Sequence, residues 1–375
     1  LKSDICGSSP TENCRRGRLR WDPINPASFS GPALSPRDFQ SRQMVSRFVG
    51  RRARPAPIPE VEAALLSATS PAGPKQLLEG HKAPRCSVEV ATQTAKNWGA
   101  RHENEDRWMA SQDSLSEMPF HIVGVLDGHD TDSASDLVSK LLPGAVAQRV
   151  KEGFPISQAY MEAFAEMEEK LKKVHATAGT CVNSCTIAGG RVWCANLGDC
   201  RTALVTLEAP TSGTLKAEAI TWLSRDHRAS CPIEQKRITA AGGSVIDGRV
   251  EGLEPSRTLG DFDVKMTTKP GVISIVPEIR SVDLGLGGSA IGRRAVLMCA
   301  TDGVWDVMSG QELCKIMCAR KELGSFFLPE AVLAAPRAGL QALDELAEDI
   351  VQFALARGSR DDCTCLVAMI SVVPE

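Results

Sequence analysis

The sequence has no run of apolar residues close to the ~18 that a membrane-spanning helix needs, so we read the chain as soluble. It has no regular alternation of strand and helix patterns, which excludes a doubly wound parallel sheet. It has no zinc-type spacing. Cys314 and Cys318 stand four apart on one helix face without a matching Cys or His pair, and they read as core packing. It lacks an even cysteine set as well. Several of its 13 cysteines, including Cys185, Cys194, Cys299 and Cys365, sit inside apolar segments. They read as free buried thiols in a reducing compartment, not as a disulfide framework.

Charge is unevenly placed. Residues 1–56 hold 11 Lys/Arg against 4 Asp/Glu, and the whole chain is −3, so the remaining chain carries −10. That excess repels itself unless cations bind it. Residues 1–84 are rich in Pro, Ser, Gly and Arg and lack periodicity, so disorder is expected there. The arginines at 51–54 read as a solvated tail, not as a nucleic-acid site. Leu1 reads as the start of a fragment or a processed form. Location is read as cytoplasmic or nuclear, with organelle targeting by the basic segment as the alternative.

From Cys86 onward the pattern is that of a folded domain, expected over residues 85–375. CSVEVATQT alternates as a strand, and residues 121–126 form a buried strand. Tyr160, Ala163, Phe164, Met167, Leu171 and Val174 mark a helix over 157–175. SCTIAG, RVWCANLG and CRTALVTL read as consecutive antiparallel strands, the first turn being Gly189-Gly190. Pro232 opens a short helix that Gly242-Gly243 closes. Ser309 and Glu312 form a capping box for a helix through Leu323. Leu340–Ala356 is a further helix and residues 364–373 a closing strand. Strands with hairpin turns and helices in separated pairs suggest sheets packed between helix layers.

Four acidic motifs follow in order: RHENEDR (101–107), VLDGHD (125–130), ATDGVWD (300–306) and SRDD (359–362). Two of them follow apolar strand-like runs. One Asp at a turn is ordinary. Four such turns in one domain suggest an oxygen-ligand cage for hard divalent cations. A pair of such ions about 3.5–4 Å apart can neutralise a phosphoryl group and activate a bridging water. Asp127 reads as the bridging carboxylate, and Gly128 lets a backbone carbonyl approach a metal. His129 can protonate a leaving oxygen, and Arg101, near Glu105 and Asp106, can grip phosphate.

These residues resemble the metal-dependent protein serine/threonine phosphatases of the PPM (type 2C) family. The resemblance spans about residues 86–373. It rests on Arg101-x-x-x-Glu105-Asp106, Asp127-Gly128-His129, Gly179-Thr180, and Ala195-Asn196-x-Gly198-Asp199-x-Arg201. It continues through Asp226-His227, Ala241–Gly243, Ser256-Arg257-x-x-Gly260-Asp261, Asp302-Gly303-x-Trp305-Asp306 and Ser359–Asp361. It implies an α+β, four-layer αββα sandwich with two antiparallel sheets flanked by helix pairs. It implies Mg²⁺ or Mn²⁺, one ion on Asp127, Asp302 and Asp361, the other on Glu105, Asp127 and the Gly128 carbonyl. Asp106 then supports the cage, and Asp199 and Asp306 match residues that hold a weaker third ion. The implied substrates are phosphoserine and phosphothreonine proteins. The chain is read as a monomer without nucleic-acid or membrane partners. A flap over about 241–277 is implied beside the site. A non-catalytic phosphoprotein-binding scaffold is the alternative.

The chain departs from the family pattern at three places. Asp130 replaces a Gly, and its carboxylate is expected to raise the pKa of His129 and to repel a phosphate dianion. Asp362 replaces an Asn, and Cys200 a Ser. Trp305 reads as core, and His121, His175 and His227 carry no assigned role.

Overall fold

The structure, a computed structural model, describes residues 86–97, 102–115, 118–174, 177–208, 215–284, 293–327 and 338–372. Expectations for residues 1–84, Arg101 and His175 lie outside these. Eleven strands are present among the described residues: β1 Cys86–Ala95, β2 Arg107–Leu115, β3 Met118–His129, β4 Gly179–Ala188, β5 Arg191–Leu197, β6 Arg201–Glu208, β7 Lys216–Trp222, β8 Leu259–Gly260, β9 Glu278–Asp283, β10 Arg293–Ala300 and β11 Cys363–Val372. The α-helices are α1 Ser133–Lys151, α2 Ile156–Val174, α3 Pro232–Ala240, α4 Phe262–Lys265, α5 Asp302–Trp305, α6 Gly310–Ala319 and α7 Ala338–Ala356.

The strands form two antiparallel sheets. One has the order β1-β11-β10-β6-β7; the other has β2-β3-β4-β5-β9, with β8 added on β4. Period-two alternation sorts the side chains into layers. On β10, Ala295, Leu297 and Cys299 point between the sheets, while Val296, Met298 and Ala300 point to the layer of α6 and α7. On β3, Val123 and Val125 join the inter-sheet layer, while Ile122 and Leu126 meet α1 and α2. Three apolar layers therefore separate four layers of structure, as the αββα reading requires. The middle layer is rich in thiols, with Cys185, Cys194, Cys200 and Cys299 all buried and free.

The helices follow the same logic. α2 buries Tyr160, Phe164, Met167 and Leu171 on one face, and the chain's single tyrosine donates or accepts at Ser184 Oγ (3.0 Å) and Thr186 Oγ1 (2.9 Å) of β4. Val174 ends that helix 60% exposed, off the face expected for it. Pro at the first position of α3 and the Ser309–Glu312 capping box of α6 are both present. α6 stops at Ala319, earlier than expected. Arg320 leaves the helical region at ψ 86, and a 3₁₀ turn over Lys321–Phe327 continues the chain.

Two expectations are corrected. β4 and β5 pair through the Gly189-Gly190 turn, but β5 and β6 do not pair, because the chain crosses from one sheet to the other between them. An apolar strand looks the same whether its turn returns to its own sheet or crosses to the next. The strand before Asp127 also runs further than expected. Gly179-Thr180 lengthens β4, so Asp127 pairs with Cys181, Gly128 with Thr180 and His129 with Gly179.

Candidate metal centre

Because Asp127 continues the Val123–Val125 face, it stands at one end of the inter-sheet layer. Three chain connections converge there. The β5–β6 crossing brings Asp199, β10 ends at Ala300 and gives way to Thr301 and Asp302 at the head of α5, and the segment before β11 brings Asp361 and Asp362. Carboxylate oxygens of Asp127, Asp199 and Asp302 all lie within 4.8 Å of one another. The sequence reading grouped Asp127 and Asp302 with Asp361; Asp361 and Glu105 stand outside this tightest set, among the described residues.

The carboxylates are placed by specific contacts. Asp106 is buried and accepts from Thr301 Oγ1 at 2.9 Å. Asp199 accepts from Cys181 Sγ at 3.3 Å. Asp362 accepts two backbone amides, from Asn97 at 2.6 Å and from Glu105 at 2.8 Å. An Asn carbonyl would offer one oxygen where this carboxylate offers two, which explains that departure from the family pattern. Gly128 is required for space: a Cβ there would lie 2.5 Å from the Glu105 carbonyl oxygen and 2.7 Å from Ser135 Oγ. Cys200 is buried in the inter-sheet layer, an apolar setting where a thiol fits.

Burial and like charge act in the same direction. Burial, then the charges of Asp302, Asp106 and Asp199, push the Asp127 carboxyl well above the usual range. Asp106 is raised to about 8 by burial and by Asp362 and Asp361. Asp302 is raised to about 8 by burial and by Asp199, Asp361 and Asp306. Glu105 and Asp361 are raised mainly by burial. Such a group favours either protons or cations. Its donors are all oxygens, which suits a hard divalent ion.

His129 is paired with a residue to which the sequence reading gave no role. Its Nε2 lies 2.7 Å from Asp261 Oδ1, and Asp261 Oδ2 accepts from Thr258 Oγ1 at 2.5 Å. Gly179 makes the room, since a Cβ there would collide with both His129 and Asp261. Burial lowers the His129 pKa, but the hydrogen bond and charge of Asp261 outweigh it and the net shift is upward. The carboxylate expected to do this was Asp130. It stands at φ 70 where the family has Gly, is exposed, and accepts from Thr177 Oγ1 at 2.5 Å. Its carboxylate is bonded to Thr177, and the carboxylate bonded to the ring is that of Asp261.

Arg228 was also missed. It follows the Asp226-His227 motif, and its guanidinium lies among Asp199, Asp302 and Asp306. The motif itself braces the crossing. Asp226 takes a two-pronged grip from Arg201 at 2.5 Å, and His227 Nδ1 accepts from Gly198 N at 3.2 Å. Trp305 is buried as expected, with its Nε1 donating to the Arg201 carbonyl at 3.1 Å. The only available signal for Asp261 was its motif membership. Arg228 gave none.

Comparison with known proteins agrees. The sequence model of the family described as Protein phosphatase 2C matches residues 91–363. A human protein, "Probable protein phosphatase 1N", is 30% identical over 82% of this chain and 68% of its own length. A protein of Arabidopsis thaliana, "Probable protein phosphatase 2C 27", is 28% identical over 74% of this chain and 68% of its own. Among solved structures, the "serine-threonine phosphatase 2C from Toxoplasma gondii" superposes with TM-score 0.55 at 23% identity, over 77% of this chain and all of that one, which shows the shared fold. With the ordered motifs, the two-sheet sandwich and the carboxylates gathered at its edge, the chain belongs to the protein phosphatase 2C family of serine/threonine protein phosphatases.

Proposed function

We propose that the chain hydrolyses phosphoserine and phosphothreonine side chains of protein substrates with two divalent ions, Mg²⁺ or Mn²⁺. The observation that carries this reading is the gathering of Asp127, Asp199 and Asp302 within 4.8 Å, the carboxyls of Asp127 and Asp302 raised by burial and like charge and that of Asp199 raised by burial against the pull of Arg228. Asp127, Asp302 and Asp361 would hold one ion; Glu105, Asp127 and the Gly128 carbonyl would hold the other. When bound, the ions would supply charge for the phosphoryl oxygens and acidify water.

The chain's own residues do the rest. Asp106 holds Thr301 and so fixes the head of the segment that carries Asp302. Asp362 fixes the Glu105 backbone. His129, whose pKa is raised by its hydrogen bond to Asp261, would give a proton to the leaving serine or threonine oxygen. Arg101 is assigned the phosphate grip from the sequence pattern. Turnover of a phosphothreonine peptide with Mn²⁺, Mg²⁺ or EDTA tests the reading. Turnover with either ion and none with EDTA supports it. Peptide binding without turnover under any of the three conditions makes the chain a phosphoprotein-binding scaffold instead.

A further inference from the structure

The acidic edge already holds one cation of its own. Arg228 is largely buried, with its side chain 19% exposed. Its Nη2 donates to Asp302 Oδ2 at 3.0 Å and to Asp306 Oδ1 at 2.9 Å. Its Nη1 lies 3.1 Å from Glu254 Oε1. Its Nε lies 3.2 Å from Asp199 Oδ2, an ion pair aligned too poorly for a hydrogen bond. Asp226 completes the ring at 3.8 Å. One guanidinium thus faces five carboxylates on four chain segments.

The backbone around Arg228 is fixed on both sides. His227 N donates to Gly198 O at 3.0 Å, Ala229 N to Glu254 O at 2.8 Å and Cys231 N to Arg228 O at 2.9 Å, and Arg228 bridges to Pro255. A side chain rooted this firmly loses little further freedom on reaching the carboxylates. A planar guanidinium that cannot lose its proton also suits several divergent carboxylates better than an ammonium does.

We propose that Arg228 is the resident cation of the Asp199–Asp302–Asp306 corner, holding with its guanidinium the place that an additional divalent ion would otherwise take. An oxygen-ligated Mg²⁺ needs its ligands at roughly 2.0–2.1 Å in an octahedral shell. Asp302 and Asp306 cannot converge on such an ion while both accept from the same Nη2. The arginine therefore neutralises this corner without any dependence on ion concentration. It also leaves Asp127, which it does not touch, to the dissociable ions. This inference rests on the metal reading above.

The test counts Mn²⁺ bound per chain, by electron paramagnetic resonance of free Mn²⁺ during titration of the whole protein. Arg228→Gln is expected to take up one Mn²⁺ more per chain than the wild type, and Arg228→Gln with Asp306→Asn is expected to lose that extra ion. Asp306→Asn alone, at a half-exposed position where folding is not at risk, is expected to leave the wild-type count unchanged. An equal count and affinity in Arg228→Gln and the wild type overturns the proposal. So does the loss of one ion from the wild type on Asp306→Asn. If the wild type binds no Mn²⁺ at all, the metal reading itself falls and takes this one with it. An intact count that does not respond to Arg228 overturns only the present inference.

Discussion

Two groups of buried and half-buried carboxylates lie within this one domain, and the fold treats them in opposite ways. Glu234 on α3 is 2% exposed and accepts from Arg257 Nη2 at 2.6 Å and Nε at 3.0 Å, from Arg237 Nε at 2.8 Å and from Ser256 Oγ at 2.7 Å. Burial would raise its pKa, but Arg257 and then Arg237 pull it down to about 2. Asp106 is buried as well, and Asp127 and Asp302 are half-buried; Arg228 on Asp302 aside, the charges around these three are mostly other carboxylates, and they are driven upward. Desolvation is common to both groups. The sign of the neighbours decides the outcome. A carboxylate with its cations built in stabilises the fold. A cluster without enough of them is held in place by the stability of the surrounding sheets and remains ready for ions from solution.

The sharpest way to break that contrast is to neutralise one member of each group. Asp127→Asn, Asp302→Asn or Asp361→Asn removes a negative ligand. Turnover at saturating Mn²⁺ is expected to fall by roughly a thousandfold or more, about 4 kcal/mol of barrier. The metal-free melting temperature should hold or rise slightly, because repulsion eases. A variant that keeps a tenth of wild-type turnover would remove that residue from the ion set. Glu234→Gln should do the reverse. It leaves Arg237 and Arg257 without their counter-ion, a loss of about 3 kcal/mol in chemical denaturation. Turnover per folded molecule should change far less than in Asp127→Asn. Equal stability in Glu234→Gln and wild type would mean that the arginines find other acceptors.

Acid and base separate the two groups again. Glu234 has a depressed pKa, so its stabilisation is present above about pH 4.5 and is lost as pH falls toward 2. Asp106 and Asp302 have raised pKa values of about 8, so between roughly pH 4 and 8 the folded state holds more protons than the unfolded chain. Stability of the metal-free protein should therefore decline as pH rises through that window. Mn²⁺ should flatten the decline, because an ion replaces the protons. A metal-free melting temperature that climbs from pH 5 to 8 would contradict the electrostatic account of the acidic edge.

What could be read from the sequence follows from where partners sit along the chain. Strand and helix positions depend on near neighbours, so β3, α2 and the Ser309 cap of α6 were visible as patterns. The ordered acidic motifs pointed to one site because each carries its carboxylate beside its own turn. Asp261 lies 132 residues from His129, and Arg228 lies 74 from Asp302. Neither pairing has a local signature. They exist because the two sheets end at the same edge, and that depends on the β5–β6 crossing, which reads as an ordinary hairpin. Gly179 belongs to the same class: its missing Cβ matters only because His129 and Asp261 meet over it.

Asp130 belongs to neither group, and replacing it should have the smallest effect. It sits at φ 70, a region that disfavours any side chain, so Asp130→Gly should recover about 1 kcal/mol of backbone strain. The same change removes the hydrogen bond from Thr177 Oγ1, worth about 0.5–1.5 kcal/mol. The two nearly cancel, and the melting temperature should stay within about 2 °C of wild type. On turnover, the sequence alone pointed to a carboxylate that steers His129. In the structure that steering belongs to Asp261, 2% exposed and 2.7 Å from the ring, while Asp130 is exposed and directed to Thr177. Its charge acts through solvent, where such effects are largely screened. Asp130→Gly should thus leave the alkaline limb of the pH–rate profile in place and change KM by less than about twofold. A clear downward move of that limb would mean that Asp130, and not Asp261 alone, holds the proton on His129. Asp261→Asn supplies the matched control: it should move the limb downward while Asp130→Gly does not.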